Sequence, residues 1–336
     1  MKKVLFVSLA LAGLSVLSVA RATVITENFT NNPSQDGWQI FGNTNLFHWN
    51  STNQNLEVTW DSSQPNSYFY QPLGAYLTRN DDFGVAFDLR LNDIASGAQS
   101  GKTGPMQLGF GFLNSTVATN ASFMRGAFGS APNVAEFDYY TDGYYVGYGP
   151  SPATTTPSFI SDSGCDYCPS DLSVYDNELP TNQTVHVTFT YTASNQTAVV
   201  VVTTNGVPLG QLPALTLNNA NGFADSDDIQ VDMFSISSYS SAGDDYDSVL
   251  AHGSVANIVI TVPPPAQNVT GAFSNGVWQV QFTDHLNWLY TLQRTTNLVS
   301  WVDISTATSG NGTNLFLPDN NPPPNNAFYR VRADRP

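Results

Sequence analysis

Glu136 and Asp138 stand two residues apart in Asn133-Val134-Ala135-Glu136-Phe137-Asp138-Tyr139-Tyr140-Thr141-Asp142. On a β-strand that spacing puts both carboxylates on one face, roughly 6.5–7 Å apart. Two ionised carboxylates at that distance repel unless a cation sits between or beside them. Asp142-Gly143 then opens a turn that can return a third oxygen, so a calcium site is one reading. The other is a strand whose outer face is merely acidic. Five tyrosines cluster here, Tyr139, Tyr140, Tyr144, Tyr145 and Tyr148. Their rings offer an apolar face and a hydroxyl to a sugar, or simply pack one side of a sheet.

Other reactive residue types carry less. Asp225, Asp227 and Asp228, and likewise Asp244, Asp245 and Asp247, lie in Gly- and Ser-flanked stretches that do not follow the EF-hand order of ligands, so solvation is the plain reading. Cys165 and Cys168 lack the βαβ setting of a redox pair and the second pair of a zinc ribbon. In an exported chain they are expected to form a small disulfide-closed loop. His252, in Leu250-Ala251-His252-Gly253, reads as a turn before the last strand of its domain with no carboxylate of its own. A structural hydrogen bond is expected of it rather than catalysis.

The charge balance narrows the partners. The 336 residues hold 27 Asp plus Glu and 11 Lys plus Arg, a formal charge of −16. Nucleic acid is not expected as a partner and anionic membrane surfaces are poor ones, because affinity for a phosphate backbone comes from Lys and Arg releasing condensed counterions. Met1-Lys2-Lys3, an apolar run from Val4 to Val19 and Ala20-Arg21-Ala22 make a signal peptide over residues 1–22, cleaved after Ala22. The run is shorter than the about 20 residues of a bilayer span, and no later stretch is more apolar, so no membrane span is expected. Removing Lys2, Lys3 and Arg21 leaves 8 basic against 27 acidic residues, or −19. Residues 264–336 carry four Arg and four Asp, so residues 23–263 hold 4 basic and 23 acidic residues, the whole −19. Between Arg125 and Arg294 there is no Lys or Arg and there are 16 carboxylates, more than local side-chain cations can pair.

The elements that must position these groups are strands. Leu56, Val58 and Trp60 alternate, as do Phe83, Val85, Phe87, Leu89 and Leu91, then Met106, Leu108, Phe110 and Phe112, and Val185, Val187, Phe189 and Tyr191. Val199 to Val202 end at Asn205-Gly206, a type I′ hairpin signal. Ile229, Val231 and Met233, then Ile258, Ile260 and Val262, extend the pattern to that of a β-sandwich or jelly roll. Pro263-Pro264-Pro265 breaks it with a stiff linker over residues 263–266. Trp278, Val280 and Phe282, then Trp288, Tyr290 and Leu292, then Phe328 to Val331 make residues 267–336 a second, small β module.

The acidic strand resembles a known one. Val134-Ala135-Glu136-Phe137-Asp138 is similar to the metal-binding strand of L-type lectins in the concanavalin A-like lectin/glucanase superfamily. That resemblance implies a transition metal on Glu136, calcium bridged by Asp138, and a calcium shell completed by the Tyr140 carbonyl and by Asp142. It departs in two places: the next bridging Asp falls near Gly147 and the His ligand near Pro152, although a longer loop places Asp162 nearby. The superfamily's β-glucanases carry Glu-x-Asp-x-x-Glu, in which Glu136 and Asp138 match nucleophile and neighbour. The general-acid position holds Tyr140 or Thr141, poor proton donors for a leaving oxygen. The Ala-Asp-Gly sugar loop of many such lectins has no counterpart in Leu108 to Asn114, which leaves Tyr139, Tyr144 and Tyr145 as the ligand-facing groups. Phe234 through Ile260 resembles the final strands of bacterial concanavalin A-like domains. Tyr290 to Trp301 with Ala327 to Arg332 is similar to small fibronectin-like modules that end secreted bacterial proteins.

The combined expectation is all-β: a concanavalin A-like jelly-roll sandwich over residues 23–262, then the linker and a small C-terminal β-sandwich. The resemblance implies an exported or cell-surface glycan-binding protein that uses calcium. A glycoside hydrolase with Glu136 and Asp138 in its catalytic strand, and a non-catalytic envelope structural protein, are the alternatives.

Overall fold

The computed structural model describes residues 23–102, 107–120, 123, 133–141, 143–145, 149–151, 154–160, 178–210, 214–216, 229–240, 248–285, 288–324 and 326–334. The expected leader at 1–22, Asp142, Asp162, the pair Cys165 and Cys168, and the acidic clusters at 225–228 and 244–247 lie outside the described residues.

Two antiparallel sheets form the large unit. The first runs β14 (Val207–Pro208), β13 (Thr197–Thr204), β12 (Thr184–Thr192), β6 (Phe83–Ser96), β17 (Val249–Val262), β4 (Asn55–Asp61), β3 (Phe47–Asn50). β1 (Thr23–Glu27) pairs with the C-terminal end of β17, and β15 (Leu215–Thr216) with β13. The second runs β11 (Thr154–Ile160), β8 (Val134–Tyr140), β7 (Gln107–Leu113), β16 (Gln230–Ser238), β5 (Ser67–Thr78), β2 (Gln39–Phe41). β9 (Gly143–Tyr145) and β10 (Gly149–Ser151) pair with each other in a separate two-stranded sheet. The chain crosses repeatedly from one sheet to the other, β4 to β5 to β6 to β7 and again β16 to β17. That exchange is the jelly-roll form of sandwich expected from the alternating sequence.

The alternation explains the layers. Phe83, Val85, Phe87, Leu89 and Leu91 of β6 all point inward and are buried. They meet Phe110, Phe112 and Phe137 of the facing sheet, with Phe87 and Phe110 stacked at 4.9 Å between ring centroids. Stacked and edge-on rings of this kind add to the burial of their area, so the interior is an aromatic layer between two sheets. Asn205 and Gly206 link β13 to β14 with φ of 51° and 78°. Positive φ at both central positions is the type I′ turn that the dipeptide signals, and it lets Thr204 pair with Val207.

A second, separate core follows. β18 (Gln267–Ser274), β19 (Val277–Thr283) and β23 (Asn314–Asp319) make one small sheet. β20 (Leu289–Thr295), β21 (Val302–Asp303), β22 (Thr308–Ser309) and β24 (Phe328–Asp334) make another. Val280, Phe282, Trp288, Tyr290, Leu292 and Leu317 fill the space between them. The prolines ahead of this unit are held by it: the Tyr290 hydroxyl donates to the Pro265 carbonyl at 2.6 Å, and His285 Nε2 lies 3.0 Å from the Pro264 carbonyl.

One buried acid near the start of the chain has a measurable consequence. Glu27 ends β1 at 3% exposure; its Oε1 accepts from the Phe29 N–H at 2.5 Å, and its Oε2 has no partner among the described residues. Burial is the main cause that raises its carboxyl above the usual range. A raised folded-state value favours the folded chain at low pH, and that contribution is lost as pH rises through it. Glu27→Gln keeps the acceptor for Phe29 and carries no charge to desolvate. It is expected to unfold at higher urea than wild type at pH 7, by about 1 kcal/mol, with the difference shrinking towards pH 4.

Candidate functional site

β8 is buried along its whole length, which is unusual for a strand carrying two carboxylates. Ala135, Phe137 and Tyr139 point into the sandwich; the Phe137 ring lies 5.7 Å from that of Phe110. Glu136, Asp138 and Tyr140 point the other way, onto the outer face of their sheet, yet Glu136 and Asp138 are 0% exposed.

The register shows what surrounds them. One cross-strand row reads Phe41, Tyr68, Ser237, Gly109, Asp138, Thr156. The next reads Gln39, Tyr70, Ser235, Gly111, Glu136, Ser158. The centre of the face is therefore a floor of two glycines and two serines, with carboxylates on one side and phenols on the other. Gly111 is required by close approach: a Cβ there would lie 2.3 Å from the Glu136 Cα and Cβ. At Gly109 it would lie 2.8 Å from Glu136 Oε2 and 2.6 Å from the Tyr239 ring. The Glu136 side chain thus reaches across Gly109 to the Tyr239 hydroxyl, which donates to Oε2 at 2.7 Å.

Tyr239 follows the end of β16 and folds over the floor, edge-on to Tyr68 at 6.1 Å. Tyr68 is itself stacked on Phe41 and edge-on to Phe123. Its hydroxyl is buried with no hydrogen-bond partner among the described residues. Burial first, and the charge of Glu136 second, push its pKa well above the usual phenol value. Tyr68 accordingly stays a neutral hydroxyl, a donor on the same face as the Glu136 carboxylate. The Ser235 and Ser237 hydroxyls bond each other at 2.9 Å.

Glu136 and Asp138 are brought together as their spacing requires, on one face and at one depth. Hard oxygen donors at this burial suit a hard cation, and the Tyr140 carbonyl stands on the same strand. Imidazole is another matter. All four histidines of the chain lie elsewhere: His48, His186 and His252 on the opposite sheet and His285 in the small unit. The residues present therefore fit calcium and do not fit a site that needs a histidine ligand. Among the described residues no group of three His, Cys, Asp or Glu is arranged around one point; Asp142, the third expected acid, is outside them.

Other expected groups fall differently. Tyr139 is 2% exposed, sits among the core residues, and its hydroxyl accepts from the Leu179 N–H at 3.3 Å. It is not a ligand platform: it shares parity with Phe137, a signal already present in the sequence. Tyr144 and Tyr145 lie on β9, opposite Pro150 and Gly149. Thr141, in the glucanase general-acid position, bonds Ser96 through its hydroxyl. His252 is not in a turn but within β17, and its Nδ1 meets Asp93 of β6 at 2.7 Å. Gly109, Gly111, Ser235, Ser237 and Tyr239 were not singled out from sequence; the alternation of glycine with large apolar residues in Leu108-Gly109-Phe110-Gly111-Phe112 was their one local trace.

No protein-family model matches the chain, and no curated protein matches it. Solved structures similar to it include lectin II from Ulex europaeus, at 13% identity over 73% of this chain and 100% of that one, with a TM-score of 0.45. Another is the lectin UEA-II complexed with galactose, at 12% identity over 73% and 100% with a TM-score of 0.43. A third is peanut lectin with a nine-residue peptide, at 14% over 72% and 99% with a TM-score of 0.40. At this identity and TM-score the fold assignment rests on the strand topology described above.

Proposed function

We propose that the chain is an exported glycan-binding protein of the concanavalin A-like kind, with calcium held by Glu136, Asp138, the Tyr140 carbonyl and Asp142. The observation that carries the reading is the buried carboxylate pair on the outer face of a six-stranded sheet, beside a floor of glycine and serine. A buried carboxylate loses several kcal/mol of hydration and is kept where a cation or strong donors replace that water. A cation fixed there would order the turn after β8, and with it the β9 hairpin that carries Tyr144 and Tyr145, the residues we assign to the sugar. The 22-residue leader and the small C-terminal module, read as a surface-attachment or spacer unit, complete the picture of a protein working outside the cell.

A hydrolase on the same scaffold needs a proton donor for the leaving oxygen. Tyr140 and Thr141 stand where that acid belongs, and Glu136 is closed off beneath Tyr239. Nothing in the geometry favours that reading over the first. The test is a glycan array probed with the mature chain in calcium and again in chelator. Binding to a defined set of glycans that drops at least tenfold on chelation is the expected outcome. Absence of binding under both conditions removes the glycan reading, and binding indifferent to chelator removes calcium from it.

A further inference from the structure

The sheet opposite Glu136 carries a second polar recess that the reading above does not use. It is a groove of about 380 Å³ on the outer face of the β6–β17–β4–β3 ladder. That volume is at the small end of the range for ligand pockets, roughly 300–1,000 Å³, and suits one or two sugar rings. One cross-strand row crosses its floor: Arg90, Ser254, Glu57, His48. The walls add four asparagines, at 45, 53, 55 and 92, and the His252 imidazole. No Phe, Tyr or Trp lines it. Recognition here is by hydrogen bonds and charge, not by ring stacking.

Arg90 sets the ligand class. Its Nε donates to Asn92 Oδ1 at 3.3 Å, and its two terminal nitrogens have no acceptor among the described residues. The nearby acids are already engaged. Asp88 takes His186 Nδ1 on one oxygen, at 2.8 Å, and Asn257 Nδ2 on the other, at 2.7 Å. Asp93 takes His252 Nδ1, and Glu57 takes Asn50 Nδ2 at 2.7 Å. In a domain of 23 acids and 4 bases, the partly buried Arg90 is thus left without a carboxylate partner among the described residues. Its fork of N–H groups matches the two oxygens of a carboxylate. Two and three strands away along the row, Glu57 and His48 offer acceptors to hydroxyl donors, and the asparagine amides serve either role.

We propose that this groove is a binding site for a sugar acid, with a uronate carboxylate on Arg90 and ring hydroxyls on the Glu57 end and the asparagines. It does not pass through Glu136 or Asp138, so it stands or falls apart from the calcium reading. Isothermal titration of the mature full chain in chelator, with trigalacturonic acid and with galactotriose, tests it. The acid is expected to bind at least tenfold more tightly than the neutral trisaccharide. Arg90→Ala should abolish that preference, and Arg90→Lys should restore only part of it because a point charge replaces a fork. Melting curves confirm that each variant is folded. Equal affinity for the two sugars, binding of neither, or an Arg90→Ala chain that keeps the preference overturns the proposal.

Discussion

Glu136→Gln is expected to lower the melting temperature by roughly 5–10 °C in millimolar calcium and to leave it unchanged or slightly raised in chelator. The two conditions separate two costs. Glutamine has nearly the shape of glutamate and keeps an oxygen for the Tyr239 hydroxyl, so the hydrogen bond at 2.7 Å survives and no cavity opens. In chelator the substitution only removes a carboxylate that is 0% exposed and two residues from another carboxylate on the same face. Replacing a buried charge by a neutral isostere is neutral or favourable when the charge has no metal to serve. In calcium, on the function proposed above, the same change takes away a charged ligand. A ligand at about 100 times its dissociation constant stabilises the folded state by roughly 2.7 kcal/mol, and most of that is lost with the carboxylate. At about 2–4 °C per kcal/mol for a unit of this size, the shift is several degrees. Equal shifts in both conditions, or a wild-type melting temperature that calcium does not raise, would show that Glu136 and Asp138 are a structural pair and nothing more.

What was legible in the sequence was what depends on local order. Alternation placed Phe83, Val85, Phe87, Leu89 and Leu91 inward, and all five are buried. Asn205-Gly206 announced its own turn, and the spacing of Glu136 and Asp138 put them on one face. The floor beneath them depends on register between segments far apart in the chain. Gly109, Glu136 and Ser237 become neighbours only because β7 pairs with β8 on one edge and β16 on the other. Tyr239 reaches Glu136 across 103 residues, and Asp93 reaches His252 across 159. No periodicity records such pairings. Tyr139 is the instructive case of a different kind, since its parity with Phe137 already placed it on the core side. A cluster of tyrosines invites a surface reading, but strand alternation decides for each ring separately.

Gly111→Ala is expected to destabilise the large unit by about 3 kcal/mol, while Gly109→Ala, one step along the same face, costs about 1 kcal/mol. The difference lies in what the new methyl meets. At Gly111 it would come within 2.3 Å of the Glu136 Cα and within 2.5 Å of the Ala135 carbonyl oxygen, both fixed by the β7–β8 ladder. Relief requires the two central strands to part, which strains hydrogen bonds on both sides and the Phe110 and Phe112 packing beneath. At Gly109 the methyl meets the Tyr239 ring and the end of the Glu136 side chain, and both can swing aside by rotation about side-chain bonds. Stability is mostly kept there, but the Tyr239 cover is displaced and the carboxylate is uncovered. Urea unfolding reads the first effect, as a fall in midpoint for Gly111→Ala about three times that of Gly109→Ala at unchanged slope. Tyrosine fluorescence or near-ultraviolet dichroism of the folded chain reads the second, changing in Gly109→Ala at full folding. Equal costs at the two positions would mean that β8 can move as freely as a side chain. The buried pair would then not be held by the sheet, and the rigid floor on which a cation site depends would be lost.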